Sequence, residues 1–162
     1  MRSTCLMSAI FTAVILVSGI ATTASARADT VVSGYPCIVD SNTLQIGGRV
    51  VDGLCTGGIE VRLFGSKAPE KGDTCEDRSG KPFSCGEEAV RQLSKIIRRR
   101  HIECYHVHGA FDEVTPLVTC LSGRYDVAAE MVLSGAAKVS DLSKRYNMEQ
   151  AGAKRGKRGL WR

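Results

Sequence analysis

The segment VRLFGSKAPEKGDTC, residues 61–75, places a group of charged side chains where a strand is expected to end and a loop to begin. It follows an apolar alternating run and contains a rigid Ala-Pro turn. The charged residues around that turn are Arg62, Lys67, Glu70 and Lys71. Cationic groups and a carboxylate held together in this way could bind or cleave a phosphodiester. The rest of the sequence decides whether these charges form a working site.

The elements that must position this segment begin with a group of strands. The runs YPCIVD, TLQIGGRVV and GIEVRLFG are short, rich in β-branched residues, and bounded by glycine or polar turns. These features predict three strands joined as a β-meander.

From Ser84 the pattern becomes helical, with Ser84 as N-cap, acidic residues in the first turns and arginines at the C-terminal end. Two strands are then predicted in HIECYHVHG and PLVTCL. They are followed by a helix over DVAAEMVLSG, which ends at a glycine, and a last helix over residues 142–156. The predicted class is α+β, in the order β-β-β-α-β-β-α-α.

The chain has 162 residues, which is enough for one compact domain. Residues 1–28 carry an N-terminal arginine, an apolar run and small residues suited to signal-peptidase cleavage. A membrane anchor is the alternative, but the apolar run is shorter than the roughly 20 residues of a spanning helix. We therefore expect a cleaved export signal and a single mature domain over residues 29–162. This domain is expected to be periplasmic or secreted, with no membrane span.

Six of the seven cysteines remain after the expected cleavage. An even count in an exported chain favours three disulfides over a metal-thiolate cluster, and no Cys-x-x-Cys pair is present. Several pairings are possible. The order along the chain suggests the sequential pairs Cys37–Cys55, Cys75–Cys85 and Cys104–Cys120.

The formal charge of +5 falls by two when the basic residues of the signal are removed, so the mature domain is mildly basic. Much of the excess lies in RRRH, residues 98–101, and in residues 144–162. These segments could attract phosphate or an anionic polymer, or they could be solvated helix surface.

Five spaced segments, in the same order, resemble the staphylococcal-type nuclease (thermonuclease) family. VDSNTLQI resembles the family's V-D-G-D-T-hydrophobic strand, and VRLFGSKAPE resembles its V-R-L-hydrophobic-G-I-D-A-P-E segment. The other three are CGEEAVRQL at the start of the central helix, MVLSGAAKV and KRGLW. The resemblance covers essentially the whole mature chain. Together with a helix between the third and fourth strands, it implies a five-stranded OB-fold β-barrel with three helices.

Active members of that family cleave phosphodiesters with the help of calcium. Two aspartates hold the ion, two arginines neutralise the phosphate, and a glutamate activates water. The resemblance assigns the phosphate-binding role to Arg62 and the general-base role to Glu70.

Three of the five charged positions differ from the family pattern. Asn42 and Lys67 stand where the family has its two calcium aspartates, and Thr115 stands where it has its second arginine. At about 4 Å and an effective dielectric near 20, each charge pairing is worth roughly 4 kcal/mol, so an ammonium in place of a carboxylate repels a divalent ion. We therefore expect that the calcium site is lost, that no cofactor is bound, and that Arg62 and Glu70 are vestigial.

Two other groups could hold a metal. His106 and His108 alternate on one predicted strand, so their rings share a face, although exposed strand histidines are the simpler interpretation. Asp112 and Glu113 could replace the missing metal ligands from a neighbouring loop.

The leading hypothesis is an exported, disulfide-bonded, monomeric member of this family that has lost nuclease chemistry and binds an anionic polymer, either nucleic acid or polysaccharide. The sequence is also similar to exported nuclease-like proteins assigned to exopolysaccharide (succinoglycan) biosynthesis. The enzyme alternative is a residual or metal-switched phosphodiesterase (nuclease) that uses Arg62 and Glu70.

Overall fold

The computed structural model describes residues 30–107, 114–141 and 143–162. The expected export signal and His108, Asp112 and Glu113 lie outside these described residues. In the described part, the class is α+β, with three α-helices and a mixed sheet. The helices are α1 (Cys85–Ile97), α2 (Val127–Leu133) and α3 (Asn147–Arg155), followed by a 3-10 turn (Gly159–Trp161). The strands are β1 (Thr30–Gly34), β2 (Pro36–Asp40), β3 (Thr43–Ile46), β4 (Arg49–Val51), β5 (Leu54–Thr56), β6 (Ile59–Leu63), β7 (Ser66–Lys67), β8 (Cys75–Glu76), β9 (Pro82–Phe83), β10 (Ile102–His106), β11 (Leu117–Ser122), β12 (Tyr125–Asp126) and β13 (Lys138–Val139).

Seven of these strands form the main sheet, in the order β1-β10-β11-β6-β3-β2, with β12 beside β11. Its strands pair antiparallel, except that β11 and β6 are parallel. The two end strands, β1 and β2, are separated in the chain by Tyr35 alone, so the sheet curls back on itself at this residue. The Gly47 amide donates to the Tyr35 carbonyl oxygen (2.9 Å) and holds the end of β3 against this corner.

The predicted count of five strands is too low, because a turn divides one predicted run and several short strands, including β1, lie outside the predicted runs. TLQIGGRVV was expected to be one strand, but Gly47 adopts a φ of +77° there, and the chain continues as the separate strand β4. β4 and β5 form a hairpin whose turn residues, Asp52 and Gly53, both have positive φ, as a tight two-residue turn requires. The remaining two-stranded pairs are β7 with β13 and β8 with β9.

The core lies between the main sheet and helices α1 and α2. Helix α1 buries Ala89, Leu93 and Ile97, which are four residues apart and so form one apolar stripe. In β6, Val61 and Leu63 are buried while Arg62 is exposed. This period-two alternation turns Arg62 away from the core.

The ends of the helices differ from the prediction in detail. Ser84 is at the predicted N-cap of α1, but its side chain makes no capping hydrogen bond. The last helix is shorter than expected: it covers Asn147–Arg155, not residues 142–156. None of the helices in the described residues is long and apolar enough to cross a membrane.

The described part of the chain contains three disulfides, and they are the sequential pairs that the order along the chain suggests: Cys37–Cys55, Cys75–Cys85 and Cys104–Cys120. Cys104 and Cys120 face each other directly across β10 and β11. The Cys75–Cys85 bond joins the first residue of β8, directly after the loop that carries Glu70, to the first residue of α1.

Replacing Cys75 and Cys85 together with serine should lower the free energy of unfolding by about 3 kcal/mol, because the cross-link restricts a loop in the unfolded chain. Urea denaturation of the oxidised protein measures this change. Peptide mapping without reductant should recover the three sequential pairs, and a crossed pairing would contradict the assignment.

Candidate functional site

An open cleft of about 440 Å3 lies beside the outward face of β6. Arg62 lies between Thr43 on β3 and Leu117 on β11, its partners in the two neighbouring strands. The charged and amide residues of the cleft wall are Asp40, Asn42, Arg62, Lys67, Glu70 and Asp141. The structure thus brings together four of the five predicted site residues.

Thr115 is the predicted site residue that does not line this cleft. Its hydroxyl lies 3.5 Å from a carboxylate oxygen of Glu60, an exposed residue on β6.

The side-chain amide of Asn42 is bonded to protein through both of its polar atoms. Its Oδ1 accepts a hydrogen bond from the Ser66 hydroxyl (3.0 Å), and its Nδ2 donates to the Leu63 carbonyl oxygen (3.3 Å). The Leu63 amide in turn donates to the Asn42 carbonyl oxygen (3.0 Å). A carboxylate at position 42 has no N–H to give to Leu63, so this arrangement suits an amide.

Asp40 connects the end of β2 to the loop after β7. Its Oδ1 accepts hydrogen bonds from the backbone amides of Ser41 (2.7 Å) and Lys71 (3.0 Å). The Ser41 hydroxyl also donates to the Pro69 carbonyl oxygen. The Asp40 carboxylate and the Ser41 hydroxyl together hold the loop of the Ala-Pro turn against the sheet.

Glu70 is held in place by the start of α1. The Glu70 amide donates to a carboxylate oxygen of Asp73, and the Asp73 amide donates to the Glu70 carbonyl oxygen. The Gly86 amide in turn donates to the Asp73 carbonyl oxygen (3.2 Å). A Cβ on Gly86 would lie 1.9 Å from the Glu70 carbonyl oxygen, which no real contact allows. Only glycine lets the helix approach this closely.

Lys67 stands at the edge of the cleft with a second ammonium group nearby. On the paired strands β7 and β13 it is the direct partner of Lys138, whose Nζ lies 5.6 Å from the centre of the Trp161 ring. Like charges that face each other across two strands repel. An anion placed between them would relieve this repulsion.

The wall of the cleft at Gly65 rests on a buried tyrosine. Gly65 has a φ of +78°, and a Cβ there would lie 2.8 Å from the Tyr146 ring. The Tyr146 hydroxyl donates to Asp126 Oδ2 (2.8 Å), which Arg145 also approaches (3.6 Å). Burial first, and then the negative charge of Asp126, raise the pKa of Tyr146 well above its ordinary value.

The two alternative metal sites gain no partners in the described residues. His106 is exposed at the end of β10, whereas His108, Asp112 and Glu113 lie outside the described part of the chain. Within residues 30–107, 114–141 and 143–162, no three histidine, cysteine, aspartate or glutamate side chains converge as a metal site would require.

Sequence reasoning missed Ser66 and Asp141 as parts of the cleft. Ser66 is buried, and its bond to Asn42 joins residues 24 positions apart, so no local pattern indicates it. Asp141 enters the cleft wall only because β13 pairs with β7.

Comparison with models of known protein families and with curated proteins finds no match for this chain. The chemistry of the site is therefore inferred from its own geometry. An arginine, a lysine and a glutamate lie on one open wall. The asparagine beside them forms hydrogen bonds within the protein through both polar atoms of its side chain.

The Ser66→Ala variant should lower the free energy of unfolding by about 1–2 kcal/mol, because the oxygen of Asn42 loses its donor. Urea denaturation measures the loss. Ser33→Ala, at an exposed position on β1, is the matched control and should change stability little. Equal stability of the two variants would contradict a structural role for the bond.

Tyr146 should be among the last tyrosines to ionise as the pH is raised. Its ionisation is measured by the rise in phenolate absorbance during an alkaline titration. Because its pKa is higher in the folded protein than the unfolded value near 10, its contribution to stability is complete below about pH 10. That contribution is lost as the pH rises through the folded value. The Tyr146→Phe variant should lack this late step, and a titration curve identical to that of the wild type would contradict the assignment.

Proposed function

We propose that this chain is an exported, nuclease-like protein whose cleft binds a segment of an anionic polymer without cleaving it. The observation that carries the proposal is the combination of Arg62 and Lys67 on one open wall with an Asn42 amide that is already bonded to Ser66 and Leu63. The first two attract an anion, and the third offers no carboxylate to a metal.

The fold we propose for the domain is an OB-type barrel. Two features support it: the ends of the main sheet meet at Tyr35, and the resemblance to thermonucleases runs along the whole mature chain. The proposed export rests on the N-terminal sequence, and three disulfides are compatible with it.

Two cationic side chains of the cleft wall can contact the acidic groups of a polymer, in a wall that also carries the carboxylates of Asp40, Glu70 and Asp141. The guanidinium of Arg62 can bond two oxygens of a phosphate or carboxylate at once, and Lys67 adds a second positive charge on the same wall. One oxygen of Asp40 is engaged by two backbone amides, which reduces its repulsion of an incoming anion.

Calcium-assisted chemistry is disfavoured by the same residues. Calcium binds through several oxygen ligands, usually including carboxylates, whereas Lys67 brings a positive charge to the wall. The similarity to exported proteins assigned to exopolysaccharide biosynthesis favours an acidic polysaccharide as the polymer.

The second candidate function is a residual or metal-switched phosphodiesterase acting on nucleic acid. A specific observation favours it: Arg62 and Glu70 line the same cleft. An arginine that neutralises a phosphate and a glutamate that accepts a proton from water would then remain within reach of one substrate.

The double variant Arg62→Ala/Lys67→Gln should bind an acidic polysaccharide at least about tenfold more weakly, since it removes two charge-assisted contacts. Isothermal titration with succinylated polysaccharide measures the loss. Arg155→Ala/Lys144→Gln removes the same charge from exposed positions elsewhere and is the control. Equal affinities of the two double variants would refute cleft binding.

Incubation with plasmid DNA and calcium, magnesium, manganese or zinc should give no cleavage, and calcium should not raise the melting temperature. Asn42→Asp/Lys67→Asp should create a weak calcium site, because two carboxylates would then line the cleft at these positions. Metal-dependent cleavage by the wild type that disappears in Arg62→Ala would establish the phosphodiesterase instead.

A further inference from the structure

A second cleft, of about 480 Å3 and with a basic wall, lies at the C-terminal end of α1. Its wall includes three basic residues, Lys95, Arg98 and Arg100, together with Tyr125 from β12 and Glu130 from α2. It shares no lining residue with the Arg62 cleft. Leu117, at the start of β11, lines the first cleft, whereas Tyr125 follows the far end of that strand, roughly 17 Å away along it.

The backbone that presents these arginines is strained. Arg98, the C-cap of α1, has a φ of +40°, and Arg99 has a φ of +55°. This left-handed conformation at a helix end is normally taken by glycine. Two consecutive arginines therefore occupy positions that the backbone alone would give to glycine.

Part of this arrangement serves the helix end. The Arg98 amide donates to the Ser94 carbonyl oxygen (3.0 Å), and the Arg98 Nε donates to the Lys95 carbonyl oxygen (3.1 Å). Basic residues at a helix C-terminus also offset the helix dipole. Neither effect requires Arg100, which follows the turn and lines the same cleft as Lys95 and Arg98.

The cationic groups of this cleft are available to a ligand. The described part of the chain has ion pairs at Arg145 and Arg162, and none at Lys95, Arg98 or Arg100. Glu130 brings one negative charge to a wall with three positive ones.

An exposed aromatic ring adjoins these charges. Tyr125 is 43% exposed, and the Arg124 guanidinium lies 5.1 Å from the centre of its ring and donates to its hydroxyl (3.0 Å). A tyrosine fixed by an arginine at the mouth of a basic cleft offers a flat surface for a planar group.

We propose that this cleft is a second binding site, separate from the Arg62 cleft, for single-stranded nucleic acid. Lys95, Arg98 and Arg100 contact successive phosphates, and an unpaired base stacks on Tyr125. A basic groove beside an aromatic platform is how proteins bind single strands without sequence preference.

The charge density favours phosphodiesters over an acidic polysaccharide. Lys95 and Arg98 are three positions apart on the helix, so their Cβ atoms are about 5–6 Å apart. A nucleic acid strand carries a phosphate at every nucleotide, about 3.4 Å apart along the axis of a duplex and farther apart when extended. A polymer with one acid for several sugar rings cannot satisfy both side chains at once. The proposal goes beyond the anionic-polymer function and rests on different residues.

The test measures binding of a short labelled oligothymidylate to the full disulfide-bonded protein by fluorescence anisotropy, across a series of salt concentrations. Three phosphate contacts predict a log–log salt slope of about −2, at about 0.7 per contact. The variant Lys95→Gln/Arg98→Gly/Arg100→Gln should bind at least about tenfold more weakly and lose most of the slope. Glycine adopts the conformation of residue 98 without strain, so Arg98→Gly alone should weaken binding without lowering the melting temperature.

The matched control, Lys81→Gln/Lys144→Gln/Arg155→Gln, removes the same charge from exposed positions and should keep the affinity and slope. Tyr125→Leu should abolish the preference for the oligothymidylate over an abasic oligomer of equal length. Equal losses in the two triple variants, no binding of the oligothymidylate at low salt, or tighter binding of alginate through the same three residues would each overturn the proposal. The Arg62→Ala/Lys67→Gln variant should bind the oligothymidylate as the wild type does. A failure of polysaccharide binding in the Arg62 cleft can therefore be distinguished from a failure of this second site.

Discussion

The side-chain amide of Asn42 holds the Arg62 cleft together. Through Ser66 and Leu63 it joins the turn after β2 to both ends of the segment that links β6 to β7. The asparagine supplies one acceptor and one donor, which a carboxylate at that position could not do. Asn42, which stands where the resembled family has a metal ligand, therefore has a structural role. Lys67 adds a positive charge to the cleft wall.

The loop that carries Glu70 depends on a second set of close contacts. Asp40 accepts from two backbone amides, and Gly86 allows the start of α1 to touch the loop. The Cys75–Cys85 bond links the same two segments. Three independent restraints therefore hold a loop that has no regular secondary structure, as expected where a surface loop must present side chains in a defined position.

The two clefts differ in how the fold presents their arginines. Arg62 reaches solvent because the period of two in β6 buries its neighbours Val61 and Leu63. The arginines after α1 instead lie on a turn of left-handed residues, where the backbone is strained. The first arrangement follows from ordinary strand geometry. The second is unfavourable for the backbone of a residue other than glycine, although a left-handed residue is a common way for a helix to end.

The sequence by itself determined the features that depend on local patterns. The short β-branched run GIEVRLFG predicted the strand β6, and the helical pattern that begins at Ser84 predicted α1. The even number of cysteines and their order predicted the disulfides. The single strand expected in TLQIGGRVV was wrong, because a glycine in that run can adopt a positive φ that hydrophobic periodicity does not reveal.

The tertiary structure decided which distant groups meet. The bond between Asn42 and Ser66, the pairing of Lys67 with Lys138, and the contact between Gly86 and the Glu70 loop each join segments that lie far apart in the chain. The second cleft likewise forms from the end of α1, β12 and α2. Local sequence patterns do not predict such contacts, because the contacts depend on how the sheet curls at Tyr35 and on where the helices pack against it.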